Sequence, residues 1–224
     1  KGLSPNEVIE KLKETDNEDQ SRQVGIVDAK GNSATFTGND CYDWAGGIAG
    51  DNYACQGNIL VNEDTVKAMS NSFKKSNGKL ADRLLEALSA GQKAGGDKRG
   101  RQSAALLVVK ENGSYGGYND KYIDLRVDDH ETPIKELKRL LDIFYLYFGE
   151  QEAKKVKLSK DIIKEMKEYL DQLDLYNGKI DSNNSKEFKK ALEVFYHQEN
   201  FEERKQKEGY IDQDILEYMR KKAK

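Results

Sequence analysis

Apolar residues recur at helical spacing in two neighbouring segments, Asp64 to Lys75 (Val66, Met69, Phe73) and Leu80 to Ala90 (Leu80, Leu84, Leu85, Leu88), and the pattern predicts a helix in each. Ahead of them, Ser4-Pro5-Asn6-Glu7 precedes Val8, Ile9 and Leu12. Ser4 can cap, Pro5 suits the first helical position and Glu7 completes a capping box, so a helix is predicted over Pro5 to Glu14. Gln23 to Asp28 and Ser33 to Thr37 read as strands joined by the turn Ala29-Lys30-Gly31-Asn32, a hairpin. Gly38 to Asn58 shows neither period; it is glycine-rich and too long for an idle connector. Ala104 to Lys110 is an apolar strand, Tyr122 to Val127 alternates as another, and a long helix runs from Ile134 to Phe148 behind Pro133. Helical periodicity then continues over Lys160 to Leu175, Lys186 to Glu203 and Asp212 to Lys222. Paired strands with helices clustered between them predict an α+β layered domain, followed by a small all-α domain of three helices.

Composition sharpens that division. Of 19 glycines only Gly178 and Gly209 lie beyond residue 150, and both cysteines, both prolines and the single Trp fall before it. We therefore expect domains over residues 1–150 and 156–224, with Gln151-Glu152-Ala153-Lys154-Lys155 as a polar linker. The chain of 224 residues carries 37 basic and 40 acidic side chains, a net charge of −3, and lacks the basic field that non-specific nucleic-acid binding needs. Mean hydropathy is −0.87, and the longest apolar run, Ala104 to Val109, is too short to cross a bilayer. Neither nucleic acid nor membrane is an expected partner. Two Cys and two His exclude a disulfide framework and leave little room for a metal site, so neither metal nor cofactor is expected. Cys41 and Cys55 are 14 positions apart, so a disulfide between them is geometrically possible, but two free thiols in a cytoplasmic protein are the expectation. The chain opens at Lys1, just before a capped helix and without an apolar leader, which reads as a fragment or a processed subunit without a signal peptide.

Three segments could carry chemistry. Ala94 to Ser103 holds Asp97, Lys98, Arg99 and Arg101 among three glycines, so that guanidinium and backbone N–H groups can converge on an anion or a carbonyl oxygen. It matches neither a phosphate-binding loop nor a dinucleotide fingerprint. Asp124-Leu125-Arg126-Val127-Asp128-Asp129-His130 alternates to place Asp124, Arg126 and Asp128 on one strand face. There, carboxylates beside an imidazole could orient a base, bind a cation or pair with Arg99 or Arg101; equally, Asp129 or Thr132 could cap the following helix and leave His130 on the surface. Gln56 and Asn58 flank Gly57, two amides beside an accessible backbone as an oxyanion hole requires, or incidental amides in a glycine-rich turn.

Six motifs in order carry a family resemblance: Arg22 to Asp28, Thr37-Gly38-Asn39-Asp40-Cys41, Trp44-Ala45-Gly46, Gln56 to Leu60, Gly95 to Ala105 and Leu125 to His130. Over Lys1 to about Phe148 the chain resembles a domain family of unknown function assigned to the N-terminal-nucleophile (Ntn) hydrolase superfamily. The tail, with Leu175 to Asp181, Ala191 to Phe195 and Glu199-Asn200, resembles the peptidoglycan-binding type of domain often attached to it. The resemblance implies a four-layer αββα sandwich and hydrolysis of an amide bond in a small-molecule substrate, with the α-amino group of an N-terminal Thr, Ser or Cys as base. It also implies a leading segment with the first strands and the nucleophile, which this chain, starting at Lys1, lacks. In that reading Asn58, Asp128 and His130 belong to the catalytic group, while Gln56, Asp97, Arg99 and Arg101 bind or orient the substrate. The competing expectation is a non-catalytic protein whose tail recognises a peptidoglycan fragment or a protein partner, with Tyr169, Tyr176, Phe195 and Tyr196 as aromatic surface, although their helical spacing makes most of them core residues first. The tail could also serve homo-oligomerisation.

Overall fold

The computed structural model describes residues 2–149 and 154–223. They form two compact units, Lys1–Lys138 and Arg139–Lys224.

In the first unit, α1 (Pro5–Thr15) starts on the expected capping box: the Glu7 N–H donates to Ser4 Oγ, and the Glu7 carboxylate accepts from the Ser4 N–H at 2.7 Å. β1 (Gln23–Val27) and β2 (Ser33–Thr37) pair antiparallel with Gly25 opposite Thr35. Their turn is held by Asp28 Oδ1, which accepts from the N–H groups of Lys30 (2.8 Å) and Asn32 (2.9 Å), with Gly31 at a φ of +85°. The glycine-rich segment that showed no period folds as a second hairpin, β3 (Gly46–Gly50) and β4 (Tyr53–Gly57), with Gly47 opposite Gln56. Its two-residue turn is Asp51-Asn52, with Asn52 left-handed.

The two hairpins pack together, β2 on β3 and β1 on β4, while α1 packs against the first and α2 (Asp64–Lys75) against the second. The order is helix, hairpin, hairpin, helix. α3 (Leu80–Lys93) packs on α2 and on β5 (Ala104–Val109), which pairs antiparallel with β6 (Lys121–Val127). Val66, Leu85, Leu106 and Ile123 are buried in this unit, each worth about 1.5–3 kcal/mol relative to an exposed side chain. β6 ends at Val127, so Asp128 lies just beyond the strand face it was expected to share with Asp124 and Arg126.

α4 (Pro133–Phe148) begins in the first unit, and the division between units falls inside it, at Lys138/Arg139, ahead of the expected linker. The aromatic end of this helix belongs to the second unit, where Tyr147 stacks on Phe201 with ring centroids 5.2 Å apart. Residues 150–153 of the expected linker lie outside the described residues. The rest of it is ordered structure: the Gln213 N–H donates to the Lys154 carbonyl at 2.9 Å, and β7 (Lys155–Lys157) pairs antiparallel with β8 (Tyr210–Asp212). The tail therefore holds a small ribbon besides its helices α5 (Lys160–Gln172), α6 (Lys186–Gln198) and α7 (Gln213–Lys222). Side chains of Ser159, Ser185 and Asp212 cap these three helices. α5 and α6 stop short of their expected ends, and left-handed Asp174 and Asn200 follow those stops. The core includes Met166, Leu170, Phe188, Phe195, Phe201 and Ile215.

Candidate functional site

The two hairpins meet through glycine. A Cβ on Gly25 would come 2.3 Å from Gln56 Oε1, and a Cβ on Gly47 would come 2.4 Å from Thr35 Oγ1. Since Gly25 pairs with Thr35 and Gly47 with Gln56, the contact is reciprocal: each hairpin inserts a polar side chain against a bare backbone position of the other. Gln23 crosses the same layer, its Nε2 donating to Thr37 Oγ1 and to the Gly57 carbonyl, both at 2.9 Å.

Not every polar atom in this layer is satisfied. Thr35 Oγ1, Gln56 Oε1 and Asn58 Oδ1 are buried without a hydrogen-bond partner in the chain. A buried polar atom left unpaired costs about 1–3 kcal/mol, so three within one short region are a strong departure from ordinary packing. Gln56 is the penultimate residue of β4, and Asn58 follows directly on the strand's end.

The Gly95–Arg101 loop is drawn to this end by backbone bonds. Leu60 and Asp97 form an antiparallel bridge, the Lys98 N–H donates to the Ile59 carbonyl at 2.8 Å, and the Val61 N–H donates to the Gly96 carbonyl at 3.0 Å. Lys98 Nζ reaches the Asp43 carbonyl at 3.0 Å, and the buried Thr65 hydroxyl accepts from the Gly96 N–H. The structure thus groups Gln56 and Asn58 with the backbone that carries Asp97 and Arg99. Asp97 accepts from the Arg99 N–H at 2.8 Å and from its guanidinium at 2.8 and 3.0 Å. These bonds hold its carboxyl below the usual range and turn the pair inward on itself.

Among the described residues no hydrogen bond or ion pair joins Arg101, Asp128 or His130 to that group. Arg101 lines a cavity between α3 and the first turn of α4 that contains neither Asp97 nor Arg99. His130 is exposed; its N–H donates to the Gln102 carbonyl at 2.9 Å, and its Nδ1 accepts from the Thr132 N–H at 2.9 Å. The ring is thereby used at the start of α4, with Nδ1 as acceptor. No ion pair joins Asp128 to His130, Arg99 or Arg101 among the described residues. Cys41 and Cys55 are free, and burial pushes the Cys55 thiol up, away from the thiolate a nucleophile needs. Among the described residues no group of three His, Cys, Asp or Glu side chains converges as a metal site would.

Thr35 and Gln23 were not singled out from sequence. A signal existed in the polar residues placed on β strands opposite or beside glycines, but the partner glycines come from a different hairpin. In the second unit, Tyr176, Phe195 and Tyr196 are buried and Tyr169 is half-buried, so these aromatics pack the core instead of offering a surface.

An α+β unit with a polar, glycine-backed layer, joined to a mainly helical unit with its own core, defines the class of the molecule. The chain belongs to the family described as "Family of unknown function (DUF1028)", whose model matches residues 1–137. Residues 147–219 match a second model, described as "Putative peptidoglycan binding domain". Among solved structures, the chain is similar to the crystal structure of protein SPO2555 from Silicibacter pomeroyi, which carries the same DUF1028 family model. The two are 29% identical with a TM-score of 0.56, over 64% of this chain and 61% of that one. The chain therefore spans about three fifths of that relative's length. No curated protein matches it. No helix among the described residues is long and apolar enough to cross a membrane.

Proposed function

We propose that this protein binds a peptidoglycan fragment through its C-terminal unit. The observation that carries the reading is the coincidence of the peptidoglycan-binding match, residues 147–219, with a unit that has its own core and capped helices. With the tail's named aromatics in that core, recognition falls to polar groups. Asn177, Asn183 and Asn184 are exposed on the connection between α5 and α6, where their amides can exchange hydrogen bonds with sugar hydroxyls and peptide groups. A soluble fragment is a ligand a cytoplasmic protein can meet, and two free thiols fit a reducing compartment. The test is calorimetric titration of the full chain with a soluble disaccharide-peptide, beside co-sedimentation with insoluble peptidoglycan. Binding that weakens in the Asn177→Ala/Asn184→Ala double variant supports the reading; absence of binding in both formats overturns it.

A second reading, amide-bond hydrolysis on an Ntn-like αββα sandwich, is favoured by one observation, the unpartnered polar atoms of Thr35, Gln56 and Asn58 between two packed hairpins. The helix–hairpin–hairpin–helix order of the first unit is compatible with such a sandwich. In this reading the amides of Gln56 and Asn58 hold the scissile group. Asp97 and Arg99 shape the mouth, while Asp128 and His130 act from the neighbouring edge. Assay of the full-length protein against small amides and N-acyl amino acids tests it. Turnover that falls in Gln56→Leu and Asn58→Leu supports it, and no turnover, or rates unmoved by both changes, refutes it.

A further inference from the structure

The cavity between α3 and the first turn of α4 belongs to neither reading. Its volume is about 460 Å³, within the roughly 300–1,000 Å³ of small-molecule sites. α3 presents Leu85 and Ser89 to it, one turn apart on a single helix face, and the α4 side adds Pro133 and Ile134. Leu85 is only 4% exposed and Pro133 is buried, so the interior is apolar and backed by core.

The charges around this interior are unequal. Lys93, Arg101, Lys135 and Lys138 line it against Asp82 and Glu86, an excess of two positive charges in a chain whose net charge is −3. Lys93, Arg101 and Lys135 are in no ion pair among the described residues. Unpaired cations are not rare in this unit, since Lys11, Lys30, Lys74 and Lys75 are also in no ion pair among the described residues; what sets this place apart is that three such cations converge on one apolar cavity. The positive end of the α4 dipole lies at the same wall, through Pro133, Ile134 and Lys135.

An apolar cavity of this size with a cationic rim is complementary to one kind of small molecule. We propose that it binds an amphipathic monocarboxylate, a short alkyl or aromatic acid whose apolar body lies against Leu85, Pro133 and Ile134 and whose carboxylate faces Arg101, Lys93 and Lys135. Arg101 is suited to the role because a guanidinium meets a carboxylate with two parallel N–H donors. The apolar interior distinguishes this ligand from a bare inorganic anion, which would gain nothing there.

The probe is octanoate, titrated into the full chain and followed by calorimetry and by ligand-observed NMR, with octylammonium and inorganic phosphate in parallel. Octanoate is expected to bind, octylammonium and phosphate not, and the octanoate affinity is expected to fall with added salt. Arg101→Ala and Lys135→Ala, both at exposed positions, should each weaken octanoate by about three- to tenfold. Lys30→Ala, in the distant β1–β2 turn, should leave it unchanged. Ser89→Phe, which fills the cavity from α3, should abolish binding while the Trp44 fluorescence transition in urea stays in place. Equal binding of octylammonium, binding of phosphate alone, or an octanoate affinity indifferent to both Arg101→Ala and Lys135→Ala overturns the proposal. The two cation variants decide the question even where Ser89→Phe fails to fold.

Discussion

Arg204 is the largest side chain fully removed from solvent among the described residues, 1% exposed, and its replacement by Met makes a sharp test of how the C-terminal unit is held together. The guanidinium has no idle nitrogen. Nε donates to Asp212 Oδ2 at 2.7 Å and Nη2 lies 2.6 Å from the same oxygen. Nη2 also donates to Asp214 Oδ2 at 3.0 Å, and Nη1 donates to the carbonyls of Tyr145 (2.5 Å) and Leu146 (2.8 Å) at the end of α4. One residue from the turn after α6 thus ties α4, β8 and the start of α7. Met keeps much of the volume and removes every donor. The Asp212 carboxylate, at 0% exposure, is then left buried with only the Asp214 N–H, which it caps at 2.9 Å. Removing one partner of a buried pair costs about 3–5 kcal/mol. The Asp214 arm, 58% exposed, adds no more than about 1 kcal/mol.

Against a total stability of about 5–15 kcal/mol this is a large fraction, and with a urea slope of about 1–2 kcal/mol/M it moves the midpoint by roughly 1.5–5 M. Far-UV circular dichroism reads the helices of both units, while the fluorescence of Trp44 reads the first alone, so the second unit is followed as the part of the CD transition that Trp44 does not share. Asp212→Asn in the Arg204→Met background removes the stranded charge but keeps an Asn able to cap α7, and should recover about 1–3 kcal/mol. A loss under about 1 kcal/mol in the single variant, or no recovery in the double, refutes the reasoning.

Gly47→Ala should destabilise the first unit by about 1–3 kcal/mol and more than Gly25→Ala, because the new methyl meets the short, branched Thr35 in one case and the end of a longer Gln56 side chain in the other. Thermal denaturation followed by Trp44 ranks the two, and the reverse order counts against the packing described. A second expectation concerns acid. Lys167, 1% exposed, donates to Asp181 at 2.6 Å, and that bond holds the Asp181 carboxyl below its usual range. A depressed carboxylate contributes stability that is present above its unfolded pKa of about 3.9 and lost as pH falls through the folded value. The gap in melting temperature between wild type and Asp181→Asn should therefore be constant from pH 7 to about 5 and close below about 4. A gap that persists unchanged to pH 3 would falsify the assignment. On the alkaline side burial pulls the Lys167 ammonium down, but its bonds to Asp181 and Tyr176 outweigh this and raise it, so that contribution holds until pH rises through the raised value.

Helices were the legible part of this fold because their signal is local. The capping box at Ser4, the Pro at the start of α4 and the spacing of Val66, Met69 and Phe73 all act within one or two turns. The helix ends were not legible to the same degree. Phe201 continues the apolar period of α6 and reads as part of it, yet Asn200 turns left-handed and Phe201 enters the core from outside the helix. β3 was invisible for a different reason. Gly46-Gly47-Ile48-Ala49-Gly50 has almost no side chains to alternate, and what makes it a strand is the neighbouring hairpin, against which only a bare backbone fits. β7 and β8, three residues each, are too short to show a period and are held by pairing across more than fifty residues of chain.

The candidate site divides along the same line. Gln56 and Asn58 could be picked out because amides flanking a glycine are a local feature, and their unpartnered oxygens mark them again in the structure. Arg99 and Arg101, two positions apart in one basic run, could not be told apart in sequence, and they do different things. Arg99 spends its guanidinium on Asp97 next to the β4 end, whereas Arg101 reaches a cavity whose other walls come from α3 and α4. A basic run reads as one patch only while the chain is treated as a line. Once α3 and the start of α4 frame one side of the run and the Leu60–Asp97 bridge pins the other, alternate residues serve separate places. This is why the amide-lined layer and the cavity are assigned separate ligands, and why a change at Arg101 should weaken octanoate binding without altering any chemistry at Gln56 and Asn58.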